Sequence, residues 1–313
     1  MRIGSYEMES PLMNAGGVVK SVEDVRMMSQ TGVGAVLAGS FTLEPRVGNS
    51  PNGEVVYYHD GKTGATYNAL GMSNKGLEAV AKDLPDMIRI AHDHGKPFVL
   101  NLAPVSTDPI AEITAMGEML SREGVEGVDA VELNSSCPNV VSSDGGRHAI
   151  LSHNPDLLGG VLNELRYVSV NEGLSDSLIV RISPFLNRDD ALLLARQLHE
   201  SGVDAVSAFN TFPGGRPLDE NDNPILQVPG GVGGQSGALT VRQAELQTQW
   251  LVDARNKVGA TFEIIGSNGV TDALSMKCRL AIGASAVSST TLFYEATRWG
   301  SAVDGILTDF SDL

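Results

Sequence analysis

The sequence predicts an α/β fold: an eight-stranded (β/α)8 TIM barrel with long βα loops over its active site, in one domain spanning 1–313. Two observations carry the prediction, and an absence narrows it. First, a motif recurs as Gly32-Val33-Gly34-Ala35-Val36, Gly127-Val128-Asp129-Ala130-Val131, Gly202-Val203-Asp204-Ala205-Val206 and Gly283-Ala284-Ser285-Ala286-Val287. Three copies follow amphipathic helical stretches, Val22 to Gln30, Ala191 to Ser201 and Ala273 to Ile282. The glycine reads as a left-handed helix C-cap and the Ala-Val run as a short buried strand. Second, further buried strands follow helices elsewhere: Phe98 to Ala103 after a helix ending at His94-Gly95, Leu178 to Ser183 after Leu157 to Val170, and Phe262 to Gly266 after Val241 to Val258. The absence is that no Gly-x-Gly-x-x-Gly opens a helix after the first strand, which disfavours the alternative, an open doubly wound dinucleotide-binding sheet.

With a first strand near Leu12 to Ala15 the candidates number eight, each but the last followed by a helix. Two stretches exceed a minimal barrel. Leu43 to Asn74 and Asn210 to Gly237, rich in Gly, Pro and Asn or Asp, read as long βα loops or small hairpin excursions covering the site.

Composition limits the function. A formal charge of −16 disfavours nucleic acid and anionic membrane surfaces, which select basic faces. Two distant cysteines, Cys137 and Cys278, without metal spacing give neither a disulfide framework nor a metal site, and fit a cytoplasmic protein. Cys278 lies among apolar neighbours on a helix and reads as structural. Met1 to Ser10 is polar and mixed, unlike a signal peptide, and no apolar run approaches the roughly 18 residues of a membrane span.

Barrel chemistry belongs where strands exit. The central exit is Val131-Glu132-Leu133-Asn134-Ser135-Ser136-Cys137-Pro138-Asn139, an apolar run turning polar at Asn134 and stopped by Pro138. Carboxamides hold a flat polar ligand, and a thiol of tuned pKa accepts a proton. The other exits offer amides, hydroxyls and glycines: Asn14 to Gly17, Ala38-Gly39-Ser40, Asn101, Arg181 to Ser183, Asn210-Thr211, Ser267-Asn268-Gly269 and Ser288 to Thr291. That set suits a planar hydrogen-bonded ligand, not a metal. The last two exits stand where barrels bind phosphate through backbone N–H groups, which implies a phosphate-bearing cofactor.

Several of these motifs resemble one family. Asn-x-Ser-Cys-Pro-Asn at Asn134 to Asn139, Asn68-Ala69-Leu70-Gly71-Met72-Ser73-Asn74, and Thr42-Leu43-Glu44-Pro45-Arg46-x-Gly48-Asn49 are similar to the FMN-dependent dihydroorotate dehydrogenases of the soluble, cysteine-using class (class 1). Met13 to Gly17, Gly230 to Gly234 and Ile265 to Val270 extend the likeness over most of the chain. The resemblance implies a cytoplasmic homodimer of pyrimidine biosynthesis that binds FMN and oxidises a dihydropyrimidine. In that reading Cys137 is the base that removes the C5 proton while C6 gives a hydride to the flavin. Asn68, Asn134, Asn139, Asn210 and Thr211 match the substrate-binding positions, with Leu70, Gly71 and Met72 as backbone contacts. Ala15, Gly16, Ser40, Asn101, Asn134, Arg181, Gly234, Asn268, Gly269, Thr290 and Thr291 match cofactor positions.

Two positions depart from the family pattern. Gly39 stands where the resemblance expects a lysine after the second strand, and Arg181 replaces a lysine on the fifth. Arginine keeps a positive charge near the flavin, whereas Gly39 removes a cation that a substrate carboxylate would miss. Arg46 or Lys62 would then supply it. The segment from Val140 to Pro155 is longer than the family's and carries Arg147, His148 and His153, the two histidines read as solvated loop residues. The alternatives are an FMN barrel acting on a related ring without the carboxylate, and a barrel without redox turnover. Lack of an N-terminal amphipathic membrane segment disfavours a quinone-using form.

Overall fold

The computed structural model describes residues 1–136, 150–294 and 299–312. Eight parallel strands form one sheet: β1 (Leu12–Asn14), β2 (Val36–Phe41), β3 (Phe98–Leu102), β4 (Ala130–Asn134), β5 (Leu178–Ile182), β6 (Ala205–Ala208), β7 (Glu263–Gly266) and β8 (Ala286–Ser289). Their order is β1-β8-β7-β6-β5-β4-β3-β2, which brings β2 back to β1. A side chain closes that seam. Buried Asn14 donates its Nδ2 to the Leu37 carbonyl at 2.7 Å and accepts the Leu37 N–H at 3.0 Å, imitating a ladder pair. Beside it Gly34 N–H donates to the Leu12 carbonyl at 2.7 Å. Any Cβ at Gly34 would fall 1.9 Å from the Ser10 carbonyl, so a side chain there would break the seam.

Helices pack around the sheet: α1 (Val22–Ser29), α2 (Leu84–Asp93), α3 (Pro109–Arg122), α4 (Pro155–Asn171), α5 (Arg188–Glu200), α6 (Val241–Val258), α7 (Ala273–Ile282) and α8 (Trp299–Asp312). Their starts are written in the sequence. Asn187 with Asp190 and Asp272 with Ser275 form capping boxes for α5 and α7, and Ser21 and Asp108 cap α1 and α3.

The strands' period of two sorts the barrel interior into layers. Met13, Leu37, Val99, Ala130, Ile179, Ala205, Ile265 and Ala286 form an apolar lower layer, closed by Ile3, Tyr6 and Met8 of the N-terminal hairpin. One step further along the strands the inward residues become polar: Asn101, Glu132, Arg181, Ser207, Ser267 and Ser288, all buried. That polar belt is the floor of the site. The outward-facing residues, among them Phe41, Phe98, Leu100, Leu133 and Val180, form the larger core with the helices.

The eight-stranded parallel barrel bears out the predicted fold. The recurring Gly-x-x-Ala-Val motif feeds the strands as expected: β4, β6 and β8 begin at its alanine and β2 at its last valine. Three particulars differ. Gly202 and Gly283, with φ of 63° and 118°, close α5 and α7 as expected, whereas Gly127, with φ of 81°, lies beyond α3, which is capped at Glu123, and Gly32 is not left-handed and lies beyond α1, which is capped at Gln30. The last strand also has helices after it, Thr291–Tyr294 and α8. Finally, the two excursions are not separate loops. Tyr57–Asp60 and Ala65–Asn68 from the first pair with Gly233–Gly237 and Phe212–Gly215 from the second in one four-stranded antiparallel sheet.

Candidate active site

The C-terminal ends of the strands and the inner face of the antiparallel sheet enclose a trough. Its deeper part, about 650 Å³, is lined by Ala15, Gly16 and Gly17 after β1, Phe209 to Thr211 after β6, Ser267 to Gly269 after β7, and Ser288 to Thr291 at β8. The sheet contributes Tyr57, Thr66, Asn68 and Ser236, and Arg181 rises from the belt. A second part, about 540 Å³, shares Gly16, Gly17, Asn68, Leu70, Arg181 and Asn210 and adds Lys20, Ser40, Gly71, Met72 and Asn134. Hydroxyls and glycines dominate one end, carboxamides and cations the other.

The amides at this second end are held by their neighbours. Asn134 Nδ2 donates to Ser40 Oγ at 2.8 Å, and its Oδ1 accepts the Ser136 hydroxyl at 2.8 Å. Asn210 Nδ2 donates to Ser136 Oγ at 3.0 Å and to the Ser136 carbonyl at 3.2 Å, while Arg181 Nη2 donates to Asn210 Oδ1 at 3.3 Å. Ser135 Oγ donates to the Arg181 carbonyl at 2.8 Å, and Ser183 Oγ donates to the Ser136 carbonyl at 2.9 Å. The chain leaving β4 is thereby fixed up to Ser136. Cys137 and Asn139, together with Arg147 and His148, lie outside the described residues. His153 is exposed, with Nε2 3.1 Å from the Pro184 carbonyl.

Beneath the trough, Asn101 donates to Glu132 Oε1, and Asn101 Oδ1 has no hydrogen-bond partner among the described residues. Burial pushes the Glu132 carboxyl above its usual range; Arg181, Asn101 and Ser207 pull the other way without cancelling the shift. Burial lowers the Lys20 ammonium, with Asp24 opposing. At the hydroxyl end, Asn268 has a φ of 63° and commits its side chain to the protein. It accepts from Thr240 Oγ1 at 2.6 Å and donates to the Asn210 carbonyl at 3.0 Å. What the Ser267 to Gly269 turn offers a ligand is therefore main chain. Arg279, fully buried on α7, locks that turn by donating to the Ser267 and Asn268 carbonyls at 2.9 and 3.0 Å. Its desolvation lowers its pKa to about 10, with Glu245 and Cys278 opposing.

Most residues proposed from the sequence line the trough, with three kinds of exception. Asn101 sits a layer below, where a Cβ on Gly16 would lie 3.4 Å from its Nδ2. Gly234 pairs with Asn68 and packs behind Thr211, whose Oγ1 would be 1.9 Å from an added Cβ. Arg46 and Lys62 do not reach the trough: Arg46 Nε holds the Gly71 carbonyl at 3.3 Å, and Lys62 sits exposed on a hairpin turn. Lys20 stands there instead. Sequence reasoning also passed over Glu132, although a charge inside Ala130-Val131-Glu132-Leu133 marks a barrel-facing polar position.

A parallel β/α barrel with its cleft at the strand C-termini, lined by amides and hydroxyls and floored by a buried cation, defines a β/α-barrel enzyme. The dihydroorotate dehydrogenase family model matches residues 1–309, and the chain belongs to that family of oxidoreductases acting on CH–CH bonds. It is similar to the dihydroorotate dehydrogenase B (NAD(+)) catalytic subunit of Halalkalibacterium halodurans, 30% identical over 289 residues, covering 92% of this chain and 85% of the relative. The Bacteroides fragilis protein of the same name is 28% identical over 308 residues, 98% of this chain and 91% of its own. In fold it is similar to DHODH from Eimeria tenella, solved in complex with ferulenol: TM-score 0.74, 22% identity, 96% of this chain and 82% of that one.

Proposed function

We propose that the chain is a single FMN-binding barrel domain that oxidises dihydroorotate to orotate. The observation that carries this reading is the convergence of Asn68, Asn134 and Asn210 beside Arg181, on a chain stem fixed at Ser136, the residue before Cys137. Three carboxamides offer the alternating donors and acceptors that a pyrimidine ring requires. The donor set also fits FMN. Gly16 forms a bare floor on which a Cβ would stand 3.3 Å from Arg181 Nη1, and Asn101 beneath it keeps an unused buried carbonyl oxygen. Ala15, Gly16, Ser40, Asn134 and Arg181 would hold the ring system. Asn268, Gly269, Thr290 and Thr291 would hold the phosphate end through main-chain N–H groups and hydroxyls. Gly234 would act by positioning Thr211.

FMN, when bound, supplies the two-electron acceptor for the hydride leaving C6. Cys137 takes the C5 proton, and the electron pair of the C5–H bond becomes the C5=C6 double bond. A free thiol titrates near 8.5, so Cys137 acts as thiolate and needs its proton affinity tuned by its loop. Asn134, Asn139 and Asn210 orient the ring so that C5 faces the sulfur. The names of the relatives support a catalytic subunit that passes electrons to NAD(+) through a partner subunit; the homodimer implied by the sequence resemblance would be its own assembly. Among the described residues no helix is long and apolar enough to cross a membrane; the cytoplasmic location rests on the family resemblance and the two distant cysteines.

Anaerobic mixing with dihydroorotate should bleach the yellow of the FMN-loaded protein. Cys137→Ala should retain FMN while slowing that bleaching by at least ~100-fold. Undiminished bleaching in the variant would exclude Cys137 as the base, and a protein that takes up no FMN would sink the whole reading. Gly39 favours one competitor, a ring substrate without a carboxylate; bleaching by dihydrouracil but not by dihydroorotate would establish it.

A further inference from the structure

We infer that Lys20 is the specificity-determining residue that receives the carboxylate of the pyrimidine substrate. The inference rests on the dihydroorotate reading of the trough. A protein of net charge −16 repels an anionic substrate unless a cation stands at the site. Arg181 and Lys20 are the cations lining either part of the trough among the described residues. Arg181 belongs to the floor: it is 7% exposed, donates to Asn210 and lies in the field of Glu132. Lys20 stands at the rim, half-buried, beside Leu70, Gly71 and Met72.

The chain fixes where Lys20 begins and where its ammonium ends. Val19 bridges Ala38 in parallel register, with Gly39 N–H donating to the Val19 carbonyl at 2.9 Å. The Lys20 N–H donates to Asp24 Oδ2 at 2.9 Å. The Nζ donates to the Ser73 carbonyl at 2.5 Å, at the end of the Leu70 to Met72 stretch. An ammonium has three N–H donors, so two remain for an anion. The end of β2 cannot carry the cation itself. Gly39 has φ of 127°, and a Cβ on it would lie 2.4 Å from the Asn101 carbonyl oxygen. The segment after β1, bonded to that same glycine, delivers the charge from one strand over.

Equilibrium binding of orotate and of uracil, which lacks the carboxylate, to the FMN-loaded protein tests this through flavin absorbance changes. Lys20→Met and Lys20→Gln should weaken orotate by about 10–50-fold, the scale of a charge-assisted hydrogen bond, and leave uracil within about twofold. Lys20→Arg should recover most of the loss. The glutamine variant keeps a donor for Ser73 without the charge, so it separates lost charge from a disturbed rim. If orotate binds the methionine and glutamine variants as tightly as wild type, or if orotate and uracil weaken together, Lys20 does not hold the carboxylate. Wild type that prefers orotate in those cases leaves the dihydroorotate reading standing. Wild type that binds orotate no better than uracil overturns both.

Discussion

Arg181 stands beside a buried carboxyl whose ionisation is opposed by burial. Desolvation raises the pKa of Glu132 against the pull of Arg181, which weakens its cancellation of the guanidinium's positive charge under Gly16. A cation fixed below the place proposed for the flavin ring would stabilise negative charge gained on reduction without reorganising at the moment of transfer. Arg181→Met should therefore lower the midpoint potential of bound FMN by about 30–60 mV, given that 30 mV is ~1.4 kcal/mol for two electrons. Arg181→Lys should keep most of the potential, and redox titration reads both; a methionine variant at the wild-type potential would remove Arg181 from this role. Asn68, Asn134, Asn210 and Arg181 were legible in the sequence because each interrupts or ends an apolar strand or a loop motif. Lys20 was not. It follows Val18 and Val19 just before a helix, where lysine is ordinary, and only the Val19–Ala38 bridge brings it beside Gly39.

At the scale of elements, the turn after β7 shows how a helix supports a site it does not line. Gly266 leaves room for Arg279, whose Cγ would lie 2.2 Å from a Cβ there, and the guanidinium then reaches the Ser267 and Asn268 carbonyls. Asn268 and Gly269, at φ of 63° and 71°, hold a left-handed turn between β7 and α7. Arg279→Met strands two buried carbonyls at a cost of about 2–4 kcal/mol. Urea unfolding should show that loss, and FMN should dissociate more readily because the main chain proposed to meet its phosphate is no longer held. Wild-type stability with unchanged FMN affinity would show that the turn holds itself. Here α6 and α7 were legible to the residue: left-handed Gly259 and Gly283 close them, the Asp272–Ser275 capping box opens α7, and each buries an apolar face. The antiparallel sheet was not, since Gly233–Gly237 has almost no apolar alternation and pairs on one side with Ala65–Asn68, far earlier in the chain.

For the whole molecule, the polar belt makes stability depend on pH. Glu132 meets Asn101, Arg181 and Ser207 in the belt, and Tyr6 below it is itself raised by burial and by the charges of Glu132 and Asp129. Because the folded pKa of Glu132 lies above its unfolded value of about 4.3, the native state keeps a proton that the unfolded chain has released. This contribution to stability is therefore full below the unfolded pKa and is lost as pH rises through the folded one. Glu132→Gln keeps the shape and takes out the titration, so the variant's unfolding free energy should fall less than that of wild type between pH 5 and 8, as compared by urea unfolding at about those two values. A steeper or equal fall in the variant would mean that Glu132 is ionised in the fold and paired with Arg181, and the net charge assigned to the trough floor would then vanish. The stability curve and the flavin potential thus test one arrangement from two sides. A Glu132 held toward its neutral form predicts a flatter curve for Glu132→Gln and leaves the Arg181 charge less cancelled, whereas an ionised Glu132 paired with Arg181 predicts a curve no flatter than that of wild type.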